Sequence, residues 1–273
     1  MKRFTWIYEL LLVAVTVSLF LPVLLLFLTS FKPEAEILHY RSAFPVHWTL
    51  DNYHRLLTRP EEAPVGRWFF NSLLVAGGVT LLVLCVASLA AYALARLRLP
   101  GGGWLFGVIV ATTMVPAQIL LVPMYLILNF LGWIDSFAAL VVPAGANSFA
   151  VFLLYQFFKG IPRELDEAAA IDGCSPLGIY FRIVLPLAQP ALATVAIFTF
   201  IGTWNDFVGP LIYLDSNDHL TMPVGIALFQ TSYFNDYGIT LAASVLCTLP
   251  VLVLFLIFQK ALVRGIAMTG SRE

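Results

Sequence analysis

Seven polar residues stand inside long apolar runs of this sequence and are the first candidates for chemistry: Gln118, Asn129, Asn147, Ser148, Thr203, Asn205 and Asp206. Amides and carboxylates beside aromatic faces, offered here by Tyr125, Trp204 and Phe207, match a hydroxyl-rich solute. The same amides and hydroxyls also serve as ordinary interhelical hydrogen-bond partners. Catalytic groupings are missing from the sequence, which has no paired carboxylates in the apolar runs, no His-x-x-x-His and no Gly-x-Ser-x-Gly. His39, His47 and His54 are spaced by eight and seven residues, too far apart for the close pairs a metal site wants, and read as surface histidines. The nearest approach to a phosphate loop, Gly265 to Gly270 followed by Ser271, lacks the Lys after the second Gly and the helix that must follow. The chain is therefore expected not to hydrolyse ATP by itself. Any ATP-driven motor would be another polypeptide.

The charged stretch 161–190, IPRELDEAAAIDGCSPLGIYFRIVLPLAQP, offers docking in place of catalysis. Pro162 suits a first helical position, where its missing N–H costs nothing. Glu164, Asp166 and Glu167 then fall in the opening turns, where the helix dipole favours negative charge. Gly173 supplies a left-handed stop, and Ser175-Pro176 reads as a cap followed by a helix start. Pro186 is expected to end the second piece. Leu165, Ala168, Ala169 and Asp172 share one face of the first short helix at spacings of three and four. Two short helices around a Gly173 corner bury too little apolar surface to fold alone. The unit must dock into something.

The elements that position these residues are apolar and long. The chain has 273 residues, 60% apolar and 11% charged, against about 25% charged in soluble domains. Six stretches, 10–31, 68–95, 99–134, 136–158, 183–205 and 237–259, carry no Asp, Glu, Lys or Arg. About 20 apolar residues cross a bilayer core as a helix, which satisfies its own backbone there. The pattern predicts an all-α, multi-pass membrane protein forming one domain over 1–273. Its spans are expected at about 6–31, 68–95, 104–128, 137–157, 191–207 and 239–258, with a cytoplasmic loop over 158–190. The first run is too long for a signal-peptide core and lacks a cleavage site, so it is expected to remain as a span. Pro22, Pro116 and Pro123 are expected as kinks. A short helix capped by Thr49 or Asp51 is expected over 49–57, and 215–236 is expected as a second outer segment.

Basic residues set the orientation. Lys2, Arg3, Arg96, Arg98, Lys159, Arg163, Arg182, Lys260, Arg264 and Arg272 fall on one side; Lys32, Arg41, Arg55, Arg59 and Arg67 fall on the other. Ten against five places both termini and the 158–190 loop in the cytoplasm. The net charge of −1 gives no support to nucleic-acid binding. Cys85, Cys174 and Cys247 are not spaced as a metal pair or an obvious disulfide and read as packing residues.

Glu167-Ala168-Ala169, then Asp172-Gly173, then Ile183-x-Leu185-Pro186, resembles the EAA loop of permease subunits from binding-protein-dependent ABC importers. With Thr203-Trp204-Asn205-Asp206, the chain is similar to the carbohydrate-importer branch typified by maltose permeases, from about Thr29 onward. Cys174 departs from the Ala usual in that family, a change between small residues. The resemblance implies a six-helix type I importer permease fold in the cytoplasmic (inner) membrane of a prokaryote. It implies a second permease subunit, as a heterodimer, together with an ABC ATPase dimer and an extracytoplasmic solute-binding protein. No cofactor is expected on this chain; ATP and Mg belong to the partner ATPase subunits. By the same resemblance Glu167 pairs with a basic residue of the ATPase, Ala168 and Ala169 permit close approach, and Gly173 makes the corner. Asp172 braces that corner, and Leu185 and Pro186 lead into the next span. Gln118, Tyr125, Asn147, Trp204, Asn205 and Asp206 are the expected substrate-path residues for a sugar or oligosaccharide. A permease for glycerol phosphate or another polyol-type solute is the alternative within the superfamily; a self-sufficient channel or secondary carrier is the alternative outside it.

Overall fold

In the computed structural model, residues 5–39, 42–58, 64–97, 99–232 and 236–270 are described, and among them the regular structure is helical with no strand. In chain order the helices begin with α1 (Thr5–Ser30), α2 (Glu34–Leu38), α3 (Asp51–Thr58), α4 (Val65–Arg96) and α5 (Gly102–Thr112). They continue with α6 (Leu121–Phe130), α7 (Ala138–Ala144), α8 (Ser148–Gly160), α9 (Glu164–Ile171) and α10 (Pro176–Ile179). The last are α11 (Leu185–Leu187), α12 (Gln189–Trp204), α13 (Val208–Tyr213), α14 (Met222–Ser232) and α15 (Tyr237–Gly270). Of the residues used for orientation, Lys2, Arg3, Arg41, Arg59, Arg98 and Arg272 lie outside the described residues. Four stretches, Tyr8–Ser30, Val65–Arg96, Ala138–Gly160 and Tyr237–Phe258, are helical, long and apolar enough to cross a membrane. Two bent pairs bring the number to six if each counts as one crossing: Gly102–Thr112 with Ala117–Phe130, at 89°, and Pro176–Leu187 with Gln189–Trp204, at 77°.

The first of these bends falls inside the single crossing expected over 104–128, at Pro116, one of the two prolines expected to kink it. Pro116 lacks an N–H and sits in extended conformation (φ −62°, ψ 126°) before a 3-10 turn at Ala117–Leu120, so the helix stops there and restarts. Pro123 does not kink the chain. It lies in the first turn of α6, where its N–H would have no intrahelical acceptor in any case. Likewise α1 runs unbroken through Pro22. The expected crossing over 191–207 stops earlier, at Trp204, because Asn205 (φ −90°, ψ 1°) leaves helical geometry and a new helix, α13, begins at Val208.

The chain forms two compact units, Met1–Phe69 with Thr221–Pro250, and Phe70–Leu220 with Val251–Glu273, and α4 and α15 each supply residues to both. In the first unit the polar segment after α1 is held by buried hydrogen bonds. The Asn52 amide donates to the carbonyls of Ser30 and Lys32, both at 2.8 Å. Lys32 is fully buried and its ammonium donates to the Ser42 carbonyl. Thr49 Oγ accepts from the Asp51 N–H at the start of α3, as expected. Glu34 accepts from the N–H groups of Tyr237 and Gly238 and so caps the dipole of α15, while Arg55 pairs with Asp236. His39, His47 and His54 are all exposed. The apolar α14 falls in the stretch expected as an outer segment, and its Met222 and Val224 are fully buried.

In the second unit α8 packs between α5 and α12, while α13 packs on α6 and α7. Asp135 ties two connections together. Its backbone is left-handed (φ 57°), which Asp tolerates better than most residues. Its carboxylate accepts from the N–H groups of Asp215 and Ser216 and from the Ser216 hydroxyl, each at 3.0 Å. Burial pushes this carboxyl up, but the donors from Ser216, Asp215 and His219 outweigh it and hold the group at about 2.

Candidate functional site

The strongest candidate is the surface unit from α9 to α11. Its first helix starts two residues later than Pro162 suggested: α8 ends at Gly160, Ile161 is extended, and Arg163 is the residue before α9. The Arg163 carbonyl accepts from Asp166 and Glu167 at 3.0 and 3.1 Å. No side chain caps this end; Glu164, Asp166 and Glu167 meet the helix dipole instead.

The other end of α9 is set by Gly173. Its φ is +83°, and the Gly173 N–H donates to Ala170 while the Cys174 N–H donates to Ala169 at 2.9 Å. That six-to-one and five-to-two pairing is a Schellman stop, which asks for a residue without a Cβ at the left-handed position. A Cβ at Gly173 would meet no atom of this chain within 4 Å, so the site is constrained by backbone conformation and not by internal crowding. Asp172 closes α9 through its backbone, and its side chain is exposed without a hydrogen bond among the described residues. Beyond the corner, Ser175 Oγ accepts from the Gly178 N–H and Pro176 opens α10.

The second piece does not end at Pro186. It passes from α10 through a π turn, Tyr180–Val184, into α11, with the Leu185 N–H reaching back to the Tyr180 carbonyl. Pro186 follows the π turn, inside this continuous run, and does not stop it. The helix halts only at Ala188 (φ −89°, ψ 7°), before the 77° turn into α12.

The four residues expected on one face of α9 divide between two environments. Ala169 is buried in the chain, whereas Leu165, Ala168 and Asp172 are exposed. Glu167 is also exposed, and Ile171 is 86% exposed at the corner, with Leu177 beyond it at 59%. A carboxylate, a small residue and two large apolar side chains thus stand outward on a rigid corner. Such a patch is able to seat in a complementary cleft.

The residues that hold this corner from inside were not singled out by sequence reasoning. Ser88, Tyr92 and Arg96 lie one helical turn apart on α4. Ser88 Oγ is 2.7 Å from Tyr180 Oη, Tyr92 Oη donates to the Pro176 carbonyl at 2.7 Å, and Arg96 Nε lies 3.5 Å from Asp166 Oδ2. The available signal was the i, i+4, i+8 spacing of two polar groups and a cation at the end of an apolar run.

Among the described residues no hydrogen bond links any two of Gln118, Tyr125, Asn147, Asn205 and Asp206. Asn147 Oδ1 caps α8 by accepting from Ala150, and Asn205 donates back to Ile201. Asp206 accepts from Gly209 at the start of α13. Ser148 pairs with Thr112 at 2.7 Å, the interhelical use of such a hydroxyl. Trp204 is buried and its ring stacks on Phe200, so it presents no open face. Gln118 is exposed at the break between α5 and α6, Tyr125 is exposed further along α6, and Asn129 is exposed at its far end.

A family model described as binding-protein-dependent transport system inner membrane component matches residues 84–268, which include the whole of the corner. The arabinooligosaccharides transport system permease protein AraQ of Halalkalibacterium halodurans is 36% identical, over 92% of this chain and 90% of that protein. The diacetylchitobiose uptake system permease protein NgcG of Streptomyces coelicolor is 33% identical over 99% and 90%. The sulfoquinovosyl glycerol transport system permease protein SmoH of Agrobacterium fabrum is 35% identical over 92% and 88%. A chain from the crystal structure of a bacterial ABC transporter involved in the import of the acidic polysaccharide alginate has a TM-score of 0.85. It is 22% identical and the match covers 95% of this chain and 96% of that one.

Proposed function

The chain belongs to the binding-protein-dependent transport system inner membrane component family, and on that premise we propose that it is the permease subunit through which an ATP-driven importer moves a carbohydrate across the cytoplasmic membrane. The reading of substrate class is supported by the printed names of relatives that span nearly the whole chain, which are permeases of oligosaccharide and glycoside systems. The observation that carries the mechanism is the rigid corner at Gly173, with Glu167, Ala168, Ile171 and Leu177 turned outward. In the proposed assembly this corner seats in a cleft of the ATPase, where Glu167 meets a basic residue and Ala168 permits close approach. ATP and Mg are bound by the ATPase dimer and not by this chain. Closure of that dimer pushes the corner and rocks the spans between inward- and outward-facing states. A second permease chain and an extracytoplasmic binding protein complete the complex, with both termini of this chain in the cytoplasm.

The test is reconstitution. The chain is co-expressed with an ATPase, a second permease and a binding protein from the same organism and placed in vesicles. Uptake of labelled arabino-oligosaccharide, diacetylchitobiose, a sulfoquinovosyl glycoside and glycerol phosphate is then followed. Uptake of one of the sugars that needs internal ATP and the binding protein is the expected result. Selective uptake of glycerol phosphate would favour the polyol-type alternative. Uptake by this chain without an ATPase would make it a channel or secondary carrier and end the importer reading.

A further inference from the structure

The inner face of the corner is bound to a single edge of α4. Counting along that edge, Ser88 meets Tyr180 in the π turn, Tyr92 meets the first residue of α10, and Arg96 meets the first turn of α9. The rings of Tyr92 and Tyr180 are 5.1 Å apart, which closes the ladder between its first two rungs. Ser88 and Tyr92 are 2% and 5% exposed, and the Arg96 side chain is 2% exposed. An arginine at the end of an apolar helix ordinarily carries its charge out to water. This one is turned into the protein.

The third rung is a poor source of stability. Arg96 Nε and Nη2 and Asp166 Oδ1 are buried and make no hydrogen bond among the described residues. A buried ion pair with unmet donors recovers little of its desolvation cost, while losing either partner leaves an uncompensated charge. What such a pair does well is fix one geometry: α9 can lie only where Asp166 faces Arg96. The other two rungs hold α10 and the π turn by neutral hydrogen bonds, so all three pieces of the corner move with α4.

We infer that Ser88, Tyr92 and Arg96 form the rigid link by which displacement of the docking corner is passed to the membrane span α4, with Arg96 the positioning residue for α9. The inference rests on the importer reading for the displacement itself; the ladder does not depend on it.

Two measurements separate the two. The first needs no partner: amide exchange of residues 164–171 in the full chain in lipid nanodiscs. Arg96→Gln and Asp166→Asn should each raise exchange there about tenfold, because either change leaves the other charge buried and uncompensated. Arg96→Lys, which keeps the cation, should raise it less. Tyr92→Phe should act on 176–179 and spare 164–171. Unchanged exchange in Asp166→Asn, a mild neutral replacement of a part-exposed group, overturns the ladder.

The second uses the assembled transporter and follows retention of the ATPase subunit and stimulation of ATP hydrolysis by substrate-loaded binding protein. Asp166→Asn should retain the subunit and lose most of the stimulation, with Arg96→Lys recovering more than Arg96→Gln. Wild-type stimulation in a variant with raised exchange overturns the transmitting role. Failure of the unmodified chain to recruit an ATPase, with the exchange result intact, counts against the importer reading and the transmission built on it, and leaves the ladder standing.

Discussion

At Gly173 one residue decides both the shape of the corner and how closely a partner can approach. Its φ of +83° is the reason, since a branched residue held there costs roughly 1–2 kcal/mol. The space around it is open within this chain, so a side chain is excluded only by the backbone and by whatever seats on the corner. Gly173→Val should therefore reach the membrane in normal amounts yet fail to retain the ATPase, and uptake should vanish. Gly173→Asn, which accepts left-handed geometry, should retain more. Glu167→Ala removes an exposed charge without enlarging the patch and should keep part of both activities. The measurements are membrane abundance, co-purification of the ATPase and uptake. Normal coupling in Gly173→Val would remove the corner from the mechanism.

Asp135 carries a pH-dependent prediction at the same scale. Its carboxyl is held at about 2 against an ordinary 3.8. A folded value below the unfolded one means the contact stabilises fully above about pH 4 and is lost as pH falls toward 2. Protection of the Asp215 and Ser216 amides, corrected for intrinsic exchange, should fall across that window. Asp135→Asn should show the low protection already at neutral pH, because a neutral amide accepts more weakly. Protection that is flat from pH 6 to 2 would mean that these amides are held by something else.

At the scale of the element, the charge-free runs marked where apolar helices lie because composition reports the medium a segment faces. It does not report backbone continuity. Pro116 and Pro123 look alike in sequence, yet one precedes an 89° bend and the other sits harmlessly in a first turn. Helix α14 went unseen because it is only 11 residues long and lies between charged segments. What fixes it is close packing: a Cβ on Gly225 would come within 2.2 Å of the Trp68 indole. Gly225→Ala should thus destabilise the first unit by about 1–3 kcal/mol, as overpacking does. Pairing it with Trp68→Leu should recover part of that loss. Thermal unfolding of the chain in detergent, or its abundance in membranes, is the readout. A fully additive double variant would show that the two residues do not share the contact.

For the whole molecule, the family and the turn at Gly173 were legible because Glu167, Asp172, Gly173 and Pro186 are spaced by the geometry of the unit itself. The substrate path was not, because Asn147, Asn205 and Asp206 read identically whether they face a solute or cap a helix, and here they cap or back-bond. Orientation rests on charge asymmetry, which acts during insertion and leaves no mark on a packed helix. It is tested directly. With Cys85, Cys174 and Cys247 replaced, single cysteines are placed at Ile171, which is 86% exposed on the docking corner, and at Asn217, which is exposed beside the Asp135 pin. Intact cells treated with a membrane-impermeant maleimide should label 217 and spare 171. Inverted vesicles should give the opposite pattern. The two sites are separated by the bent pair Pro176–Leu187 and Gln189–Trp204, so opposite labelling requires that pair to cross the bilayer once despite its 77° turn. If 171 and 217 label from the same side, the pair is a re-entrant loop, the six-crossing count fails, and the corner and the Asp135 pin share one face of the membrane.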